Sequence, residues 1–160
     1  MIGSDVPFCV QGGTQRVRGV GERLDELADL KDLYFVVACG KDEMPTPAAY
    51  KALDEKYNGF FDENGGGTSD FSGFYDALGD GKSFASKMYN IFECVTLEAC
   101  PSTVEIKNTL LEMGAVGSLM SGSGPSAFGV FELESDAEKA VDAIRSKGFF
   151  CKLCRPIGRY

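Results

Sequence analysis

The stretch AVGSLMSGSGPSAFGVFELESDAEKAVDAIRSKGFFCKLC, residues 115–154, decides the fold. Its apolar runs, its glycine-rich turn and its amphipathic middle predict a strand, a turn, a strand, a helix and a strand, in that order. The predicted bounds are 115–120, 121–125, 127–133, 135–147 and 149–154. The stretch therefore indicates a hairpin followed by a helix that leads into a third strand.

The residues ahead of this stretch supply a further strand and several helices. The run LYFVVAC, residues 33–39, is apolar, short and rich in β-branched and aromatic residues, so it predicts a buried strand. Thr46 and Pro47 predict the N-cap and the first turn of a helix that reaches Tyr57. The other predicted elements are helices over 69–78, 83–97 and 101–113, and short extended segments over 6–10 and 14–18.

The predicted elements follow the order β, α, β, β, α, β from residue 33 onward. This is the order of the split βαβ, or ferredoxin-like, arrangement, in which helices on one face back a single antiparallel sheet. The sequence therefore predicts an α+β domain of this kind. Its first crossover carries additional helices, and short strands precede it.

Composition and charge exclude some partners. The chain has 160 residues, of which 44% are hydrophobic, which is enough to fill the core of one domain. Its formal charge of -8 argues against nucleic acid, because that partner needs clustered Lys and Arg. A small anion remains possible, since backbone N–H groups can bind one locally. No apolar run approaches the roughly 20 residues of a spanning helix, and the start lacks a signal-peptide pattern, so we expect a cytoplasmic protein without membrane contact.

The six cysteines are expected to be reduced thiols, because their spacing is irregular and no secretion signal precedes them. Cys151 and Cys154 form a C-x-x-C pair. The sequence contains no second pair at zinc-like spacing and no histidine. A buried strand that carries two thiols is therefore favoured over a metal or redox site, and no metal site is predicted.

Two glycine-rich stretches invite comparison with phosphate-binding loops. No strand precedes the triplet at 65–67 and no Lys-Ser or Lys-Thr follows it, so a flexible connector is favoured there. The stretch SGSGPS, residues 121–126, places two glycines and three hydroxyl groups in the predicted hairpin turn. Its N–H groups could contact phosphate. Taken alone, it is explained by a tight turn of permissive residues.

An acidic residue near the start of the chain is a candidate for catalysis. Asp5 lies in GSDVPF, residues 3–8, between a flexible Gly-Ser pair and a proline-fixed apolar segment. A carboxylate held there could act as a general base or through its charge. Taken alone, it is also explained as an N-cap or as a solvated acid near a chain end.

Four motifs occur in a fixed order: GSDVPF at 3–8, GVGE at 19–22, PTP at 45–47 and SGSGPS at 121–126. Together they resemble successive motifs of the GHMP kinases, and in particular of the diphosphocytidyl-methylerythritol kinase branch. The last resembles the third motif of all GHMP kinases, while the first and the PTP motif point to this branch. The resemblance covers essentially the whole chain and is least diagnostic over 62–97.

The resemblance implies phosphoryl transfer from ATP, accompanied by magnesium, to the 2-hydroxyl of a cytidine-diphosphate-linked methylerythritol in isoprenoid synthesis. A carboxylate would orient or accept the proton of the attacking hydroxyl, and an aromatic ring would pack on the pyrimidine. The residues implied are Asp5 for catalysis, Thr46, Pro47 and Tyr50 for the cytidine moiety, and Ser121, Gly122, Ser123 and Gly124 beside the ATP phosphates.

The chain also departs from the family pattern. The glycine-rich ATP loop and the catalytic lysine of the family lie upstream of the aspartate motif, and neither occurs in this sequence. The resemblance therefore implies a C-terminal part, with residues 1–30 ending the missing N-terminal domain and residues 31–160 forming the C-terminal domain. For the chain alone we expect no bound cofactor, no kinase activity and an exposed N-terminal strand edge that could pair two chains into a dimer.

Three alternatives remain open from the sequence. Helical periodicity alone also fits Tyr50 as an ordinary core contact. The third motif does not distinguish the implied substrate from homoserine, mevalonate or a sugar. A non-enzymatic ferredoxin-like module that binds ligands or regulates other proteins would also lack the catalytic loop and lysine.

Overall fold

The computed structural model describes residues 3–57 and 72–158, and the glycine triplet at 65–67 lies outside them. The helices are α1 (Val6–Gln11), α2 (Thr46–Lys56), α3 (Ser72–Asp76), α4 (Gly81–Ser86), α5 (Glu93–Ala99), α6 (Pro101–Glu112) and α7 (Glu134–Ser146), with a 3-10 turn at Ala77–Gly79. The strands are β1 (Gln15–Arg18), β2 (Arg23–Glu26), β3 (Tyr34–Cys39), β4 (Gly117–Met120), β5 (Ser126–Phe131) and β6 (Phe150–Cys154). Every helix in the described part of the chain is too short or too polar to cross a bilayer.

A four-stranded antiparallel sheet with the order β4-β5-β3-β6 forms the centre of the fold. All six residues of β3 pair with β5, and five of them also pair with β6. In chain order the strands are β3, β4, β5 and β6, so the first strand lies between the third and the fourth. This is the split βαβ order, and the predicted ferredoxin-like α+β fold is confirmed.

Helices α6 and α7 cover one face of the sheet and form the main core with it. Side chains alternate along a strand, so every second residue of β3 and β5 points toward these helices. In α7 the buried positions recur at helical spacing, which places them on the stripe that contacts the sheet. The core residues include Val36, Ala38, Ile106, Leu110, Ala127, Phe131, Ala137, Ala140 and Ile144.

The opposite face of the sheet is only partly covered. The crossover between β3 and β4 brings α4 and the 3-10 turn onto it, which adds a second helical contact to the predicted one-sided arrangement. The buried cluster there consists of Leu33, Leu78, Phe84 and Val130. Beside this cluster lies a cavity of 410 Å³, which we call the second-face groove, lined in part by Leu30, Phe35, Val37, Phe128 and Ile157. Val37 is 38% exposed and Ile157 is 65% exposed, so apolar surface remains open to solvent.

The segment ahead of the sheet differs from the prediction. Val6–Gln11, predicted as extended, forms α1, because Pro7 in its first turn has the fixed φ of a helix and Gly12, at φ 69°, ends it. β1 and β2 form a separate two-stranded ribbon. The sequence of β2, RLDE, lacks the alternation that predicts a strand. The prediction of an apolar strand beginning at Val6 is therefore wrong, whereas the extended segment predicted at 14–18 contains β1. Pairing of two chains through a strand edge stays a prediction.

Two of the predicted helices also need correction. The helix predicted over 83–97 is interrupted between α4 and α5, where Asn90 Oδ1 accepts a hydrogen bond from the backbone N–H of Phe92 at 3.0 Å. Such a local side-chain bond competes with helical pairing. In α2 the N-cap is Pro45 rather than Thr46, and Thr46 is the first helical residue without a capping bond.

The C-x-x-C pair is divided between the two faces of the sheet. Cys151 is 2% exposed and packs in the main core, with its Sγ 3.5 Å from the carbonyl oxygen of Val141. Cys154, three positions later in β6, is exposed on the opposite face. Thiols on opposite faces cannot share one metal ion. Residues 150–154 form a strand that carries two thiols, as predicted, but Cys151 is its only buried residue.

Adjacent leucines on α6 allow a matched test of the main core. Leu110 is fully buried and Leu111 is 48% exposed. We expect Leu110→Ala to lower the free energy of unfolding by about 2–5 kcal/mol, because it removes buried methyl groups and leaves a cavity. Leu111→Ala should cost about 1 kcal/mol or less. Urea denaturation of both variants measures the difference, and equal losses would contradict this account of the core.

The placement of the cysteines predicts selective alkylation. Cys100 and Cys151 are buried, and burial raises the pKa of both thiols, which lowers their reactive thiolate fraction. We therefore expect iodoacetamide to modify Cys9, Cys94 and Cys154, which are exposed, before these two. Peptide mass spectrometry of native protein, with denatured protein as the control, measures the order. Equal reaction rates of Cys151 and Cys154 in native protein would contradict the sheet geometry.

Candidate functional site at the turn between β4 and β5

The turn at 121–125 has a geometry that depends on glycine. The N–H of Ser121 donates to the carbonyl oxygen of Ser126 at 2.8 Å, and the N–H of Gly124 donates to that of Ser121 at 3.1 Å. Gly122 and Gly124 have φ values of 58° and 84°. A Cβ atom on Gly124 would lie 2.8 Å from the Sδ of Met120. A side chain at Gly124 is therefore excluded both by its backbone conformation and by its neighbours.

The tip of the turn carries backbone N–H groups that could bind a ligand. In the part of the chain that the structure describes, the N–H groups of Gly122 and Ser123 have no hydrogen-bond acceptor. Gly122 is exposed, and a Cβ on it would meet nothing within 4 Å. Adjacent backbone N–H groups of this kind can bind the oxygen atoms of an anion. The turn therefore has the chemistry to contact a phosphate group.

The far end of the turn is fixed by hydrogen bonds to Pro125, which follows a cis peptide bond. Its carbonyl oxygen accepts from the hydroxyl of Thr103 at 2.8 Å and from the N–H of Gly40 at 3.3 Å. A Cβ on Gly40 would lie 2.6 Å from the Oγ of Ser102. The end of β3, the start of α6 and the turn therefore approach one another more closely than a side chain at Gly40 would allow.

Thr46 contacts the turn directly. Its Oγ1 lies 2.9 Å from the Oγ of Ser123, and the two hydroxyl groups share a hydrogen bond across 77 positions of sequence. Pro47 is exposed beside Thr46 in the first turn of α2. The structure thus joins Thr46 to the predicted phosphate-proximal turn, and Pro47 follows Thr46 in the helix.

Tyr50 lies one helical turn after Thr46, on the same side of α2. Its ring and that of Phe92 form a T-shaped pair, with centroids 4.9 Å apart and planes at 81°. Tyr50 is 55% exposed, so the alternative that it is an ordinary core residue does not fit. An aromatic ring that is positioned by a neighbouring ring and is partly open to solvent can pack on a flat ligand.

Sequence reasoning missed two residues beneath the turn, Asn90 and Glu93. Both side chains bond to the backbone at the end of β4: Asn90 to the carbonyl oxygens of Met120 and Gly122, and Glu93 to the N–H of Met120. Glu93 also forms an ion pair with Lys107, and both of these side chains are at least four-fifths buried. The signal in the sequence is an Asn with poor helix propensity three positions before a Glu, within a run predicted as helical.

A third missed residue, Asp42, connects the end of β3 to α6. Its carboxylate accepts hydrogen bonds from the hydroxyl of Ser102 and, at 2.8 Å, from the N–H of Ser102. These bonds hold the pKa of Asp42 below its usual value. The hydroxyl of Ser102 in turn accepts from the N–H of Lys41 at 2.8 Å. Asp42 therefore satisfies a free N–H at the start of α6 from outside the helix.

Asp5 lies apart from the residues around the turn. It occupies the N-cap position of α1, is exposed, and makes no side-chain capping bond. Among residues 3–57 and 72–158, no hydrogen bond, ion pair or ring contact joins its carboxylate to Thr46, Tyr50 or the turn. An apolar cavity of 680 Å³ adjoins Asp5, between α1 and the β1-β2 ribbon, with Val6, Val10 and Val20 in its lining. The described residues contain no cluster of three or more His, Cys, Asp or Glu side chains that could hold a metal ion.

Most of this chain aligns with curated relatives. Residues 74–149 match the family described as "GHMP kinases C terminal". The 4-diphosphocytidyl-2-C-methyl-D-erythritol kinase of Acetivibrio thermocellus is 33% identical over 156 residues, which cover 98% of this chain and 53% of that kinase. The chain thus spans about half the length of the curated relatives it matches.

Solved structures agree with this relationship. A 4-(cytidine 5'-diphospho)-2C-methyl-D-erythritol kinase matches with a TM-score of 0.71 at 30% identity, over 93% of this chain and 52% of its own. A homoserine kinase from Cytophaga hutchinsonii matches with a TM-score of 0.71 at 21% identity, over 96% of this chain and 51% of its own, and this likeness shows the fold alone. From the matched region, the relatives and the fold together, the chain belongs to the GHMP kinase family and carries its C-terminal domain.

Proposed function

We propose that this chain is the C-terminal part of an ATP-dependent kinase that phosphorylates the 2-hydroxyl of 4-diphosphocytidyl-2-C-methyl-D-erythritol in cytoplasmic isoprenoid synthesis. The observation that carries the proposal is the hydrogen bond between Thr46 and Ser123. It joins the motif that resembles the cytidine pocket to the motif that resembles the third GHMP motif. The names of the curated relatives support the same substrate.

The residues around the turn suit the two ligands of such a kinase, ATP and the cytidine-linked substrate. The exposed N–H groups of Gly122 and Ser123, with the hydroxyl groups of Ser121 and Ser123 beside them, would contact or support the ATP phosphates. Phosphoryl transfer is catalysed mainly by positioning and by charge stabilisation, and fixed backbone donors supply both. In this proposal Gly124 sets the turn conformation that aims these donors.

The other end of the site would bind the cytidine moiety. Tyr50 presents a half-exposed ring that is steadied by Phe92, and a pyrimidine can pack on such a ring. Thr46 and Pro47 would form the wall beside it, with Thr46 fixed by its bond to Ser123. The distance between the cytidine base and the ATP phosphates would then be set by the contact between α2 and the turn.

The catalytic carboxylate in this proposal is Asp5, which would orient or accept the proton of the attacking hydroxyl. Residues 1–30 would end the N-terminal domain, and residues 31–160 would form the C-terminal domain. The ATP loop, the catalytic lysine and the magnesium that accompanies ATP would belong to an N-terminal half that precedes this sequence in the complete kinase. We therefore expect no turnover from the chain alone.

Two other functions are distinguishable from this one. A GHMP kinase for another alcohol would share the fold, as the homoserine kinase structure does, but would have no need for an aromatic ring beside the PTP motif. A non-enzymatic regulatory module would bind a ligand without transferring phosphate. A comparison of turnover with different alcohols distinguishes the proposed kinase from a kinase for another alcohol. Any turnover by the complete protein distinguishes it from a non-enzymatic module.

The deciding experiment measures ADP release by the complete kinase, meaning this chain joined to the N-terminal half that the proposal requires. We expect turnover with the cytidine-linked substrate and much less with homoserine or mevalonate. The isolated chain serves as the comparison and should give background rates. A preference for another alcohol would contradict the proposed substrate, and turnover by the isolated chain would contradict the division of catalytic residues.

The role of Asp5 is tested by Asp5→Asn in the complete kinase. The amide has nearly the same shape but cannot accept a proton, so we expect kcat to fall by about 10²- to 10⁴-fold. Asp142→Asn, on the exposed surface of α7, makes the same chemical change and serves as the control. A kcat within threefold of the unmodified kinase would remove Asp5 from the catalytic role.

Tyr50 is tested by two substitutions. Tyr50→Phe keeps the ring that packs against Phe92, whereas Tyr50→Ala removes it. Aromatic packing contributes about 0.5–1.5 kcal/mol, so we expect Tyr50→Ala to raise the KM of the cytidine substrate by about 2- to 12-fold while Tyr50→Phe changes it little. The KM of ATP should stay unchanged in both variants. A parallel rise in both KM values would indicate general loss of structure instead.

A further inference from the structure

We propose that Asn90 and Glu93 are positioning residues that fix the turn at 121–125 for phosphoryl transfer. We call the two side chains the 90–93 clamp. The inference rests on the proposed function and adds residues that neither the motifs nor the comparisons assign. Its basis is that both side chains bond to backbone atoms at the base of the turn, beneath the donors at its tip.

Asn90 uses both of its amide donors on the turn. Its Nδ2 lies 2.8 Å from the carbonyl oxygen of Met120 and 2.8 Å from that of Gly122. Its Oδ1 accepts from the N–H of Phe92 at 3.0 Å. The opposite orientation of the amide would place its oxygen against two carbonyl oxygens, so only one orientation satisfies all three bonds. The carbonyl of Gly122 belongs to the peptide unit whose N–H is that of Ser123, so Asn90 fixes the plane of a peptide at the tip.

Glu93 bonds to the backbone N–H of Met120, the last residue of β4 before the turn. Its Oε1 accepts from the N–H of Met120 at 2.7 Å and from the Nζ of Lys107. The side chain of Glu93 is 20% exposed and that of Lys107 is 14% exposed, so both side chains are largely shielded from water. Hydrogen bonds to charged groups are stronger than neutral ones. Met120 is thus held at its N–H by Glu93 and at its carbonyl by Asn90.

The clamp also connects the turn to the aromatic pair. Phe92 lies between the two clamp residues, its backbone N–H is bound by Asn90, and its ring packs against Tyr50. On the other side, Thr46 of the same helix as Tyr50 bonds to Ser123. A change at Asn90 would therefore displace the peptide at the tip and the support of Tyr50 together.

The expected cost follows from geometry. Because phosphoryl transfer depends on positioning, a displacement of about 1 Å in a group that contacts the phosphates can cost about 10²-fold in rate. Asn90→Asp keeps the shape of the side chain, removes both donors and places a negative charge against two carbonyl oxygens. This substitution thus replaces two hydrogen bonds, to the carbonyl oxygens of Met120 and Gly122, with two repulsive contacts between oxygen atoms.

The test compares Asn90→Asp with Asn108→Asp in the complete kinase. Asn108 is exposed on α6, so its variant adds the same charge away from the turn. With the folded fraction determined by thermal unfolding, we expect Asn90→Asp to lower kcat per folded molecule by about 10- to 100-fold. We expect Asn108→Asp to stay within twofold of the unmodified kinase. A purely structural role would lower the amount of folded protein and leave kcat per folded molecule unchanged, which would overturn the inference.

Further variants and a second measurement cover the remaining outcomes. If Asn90→Asp does not fold, Asn90→Ala removes the same donors without adding charge, and the same fall in kcat is expected. Glu93→Gln keeps an oxygen for the N–H of Met120 and should lose less activity than Glu93→Ala.

In the isolated chain, amide NMR signals of Gly122 and Ser123 should shift in Asn90→Ala and not in Asn108→Asp. Unshifted signals, or full activity of Asn90→Ala, would overturn the clamp while leaving the proposed kinase intact. An inactive unmodified kinase would overturn the proposed function and the clamp with it.

Discussion

The pairing of β3 with strands on both of its sides constrains the rest of the structure. β3 is bonded to β5 along its whole length and to β6 along five residues, so its end is fixed relative to both neighbours. Gly40 follows directly and contacts the carbonyl of Pro125, where the turn between β4 and β5 ends. The position of the turn is therefore a consequence of the sheet register, and a shift of one residue in that register would move it.

Hydrogen bonds from side chains also fix the conformation of the turn at 121–125. Asp42 and Glu93 each place a carboxylate in the first turn of a helix, α6 and α5 respectively, where the helix dipole favours negative charge. Asn90, Thr96 and Thr103 add donors that contact backbone oxygens of the turn and its flanks. The turn is thus surrounded by groups that satisfy its base, while the N–H groups of Gly122 and Ser123 at its tip have no acceptor among the described residues. Polar networks of this kind specify one arrangement when every member is paired.

Periodicity and turn residues were enough to predict the sheet, the hairpin and α7, because these elements follow from local patterns at 33–39 and 115–154. The same reasoning failed where a tertiary contact or a single side chain overrides the local pattern. α1 depends on Pro7 in its first turn, and the break before α5 depends on one bond from Asn90. The resemblance implied that Thr46 contacts the cytidine moiety and that the turn lies near the ATP phosphates, and the structure shows a hydrogen bond between Thr46 and Ser123. The sequence alone could not predict that Asp42 bonds to Ser102, 60 positions away, or that Glu93 bonds to Met120, 27 positions away. No local sequence pattern encodes such pairs.

The second-face groove has a practical consequence for handling the protein. Apolar surface is exposed at Val37, at Ile157 and, at the start of β6, at Phe150. Environment-sensitive dyes that fluoresce on apolar surfaces report unfolding only when the native state binds them weakly. On this chain the dye would find a binding surface before any heating, so the initial fluorescence would be high and the melting transition shallow. Circular dichroism or calorimetry, which do not depend on a surface probe, are the better ways to follow its unfolding.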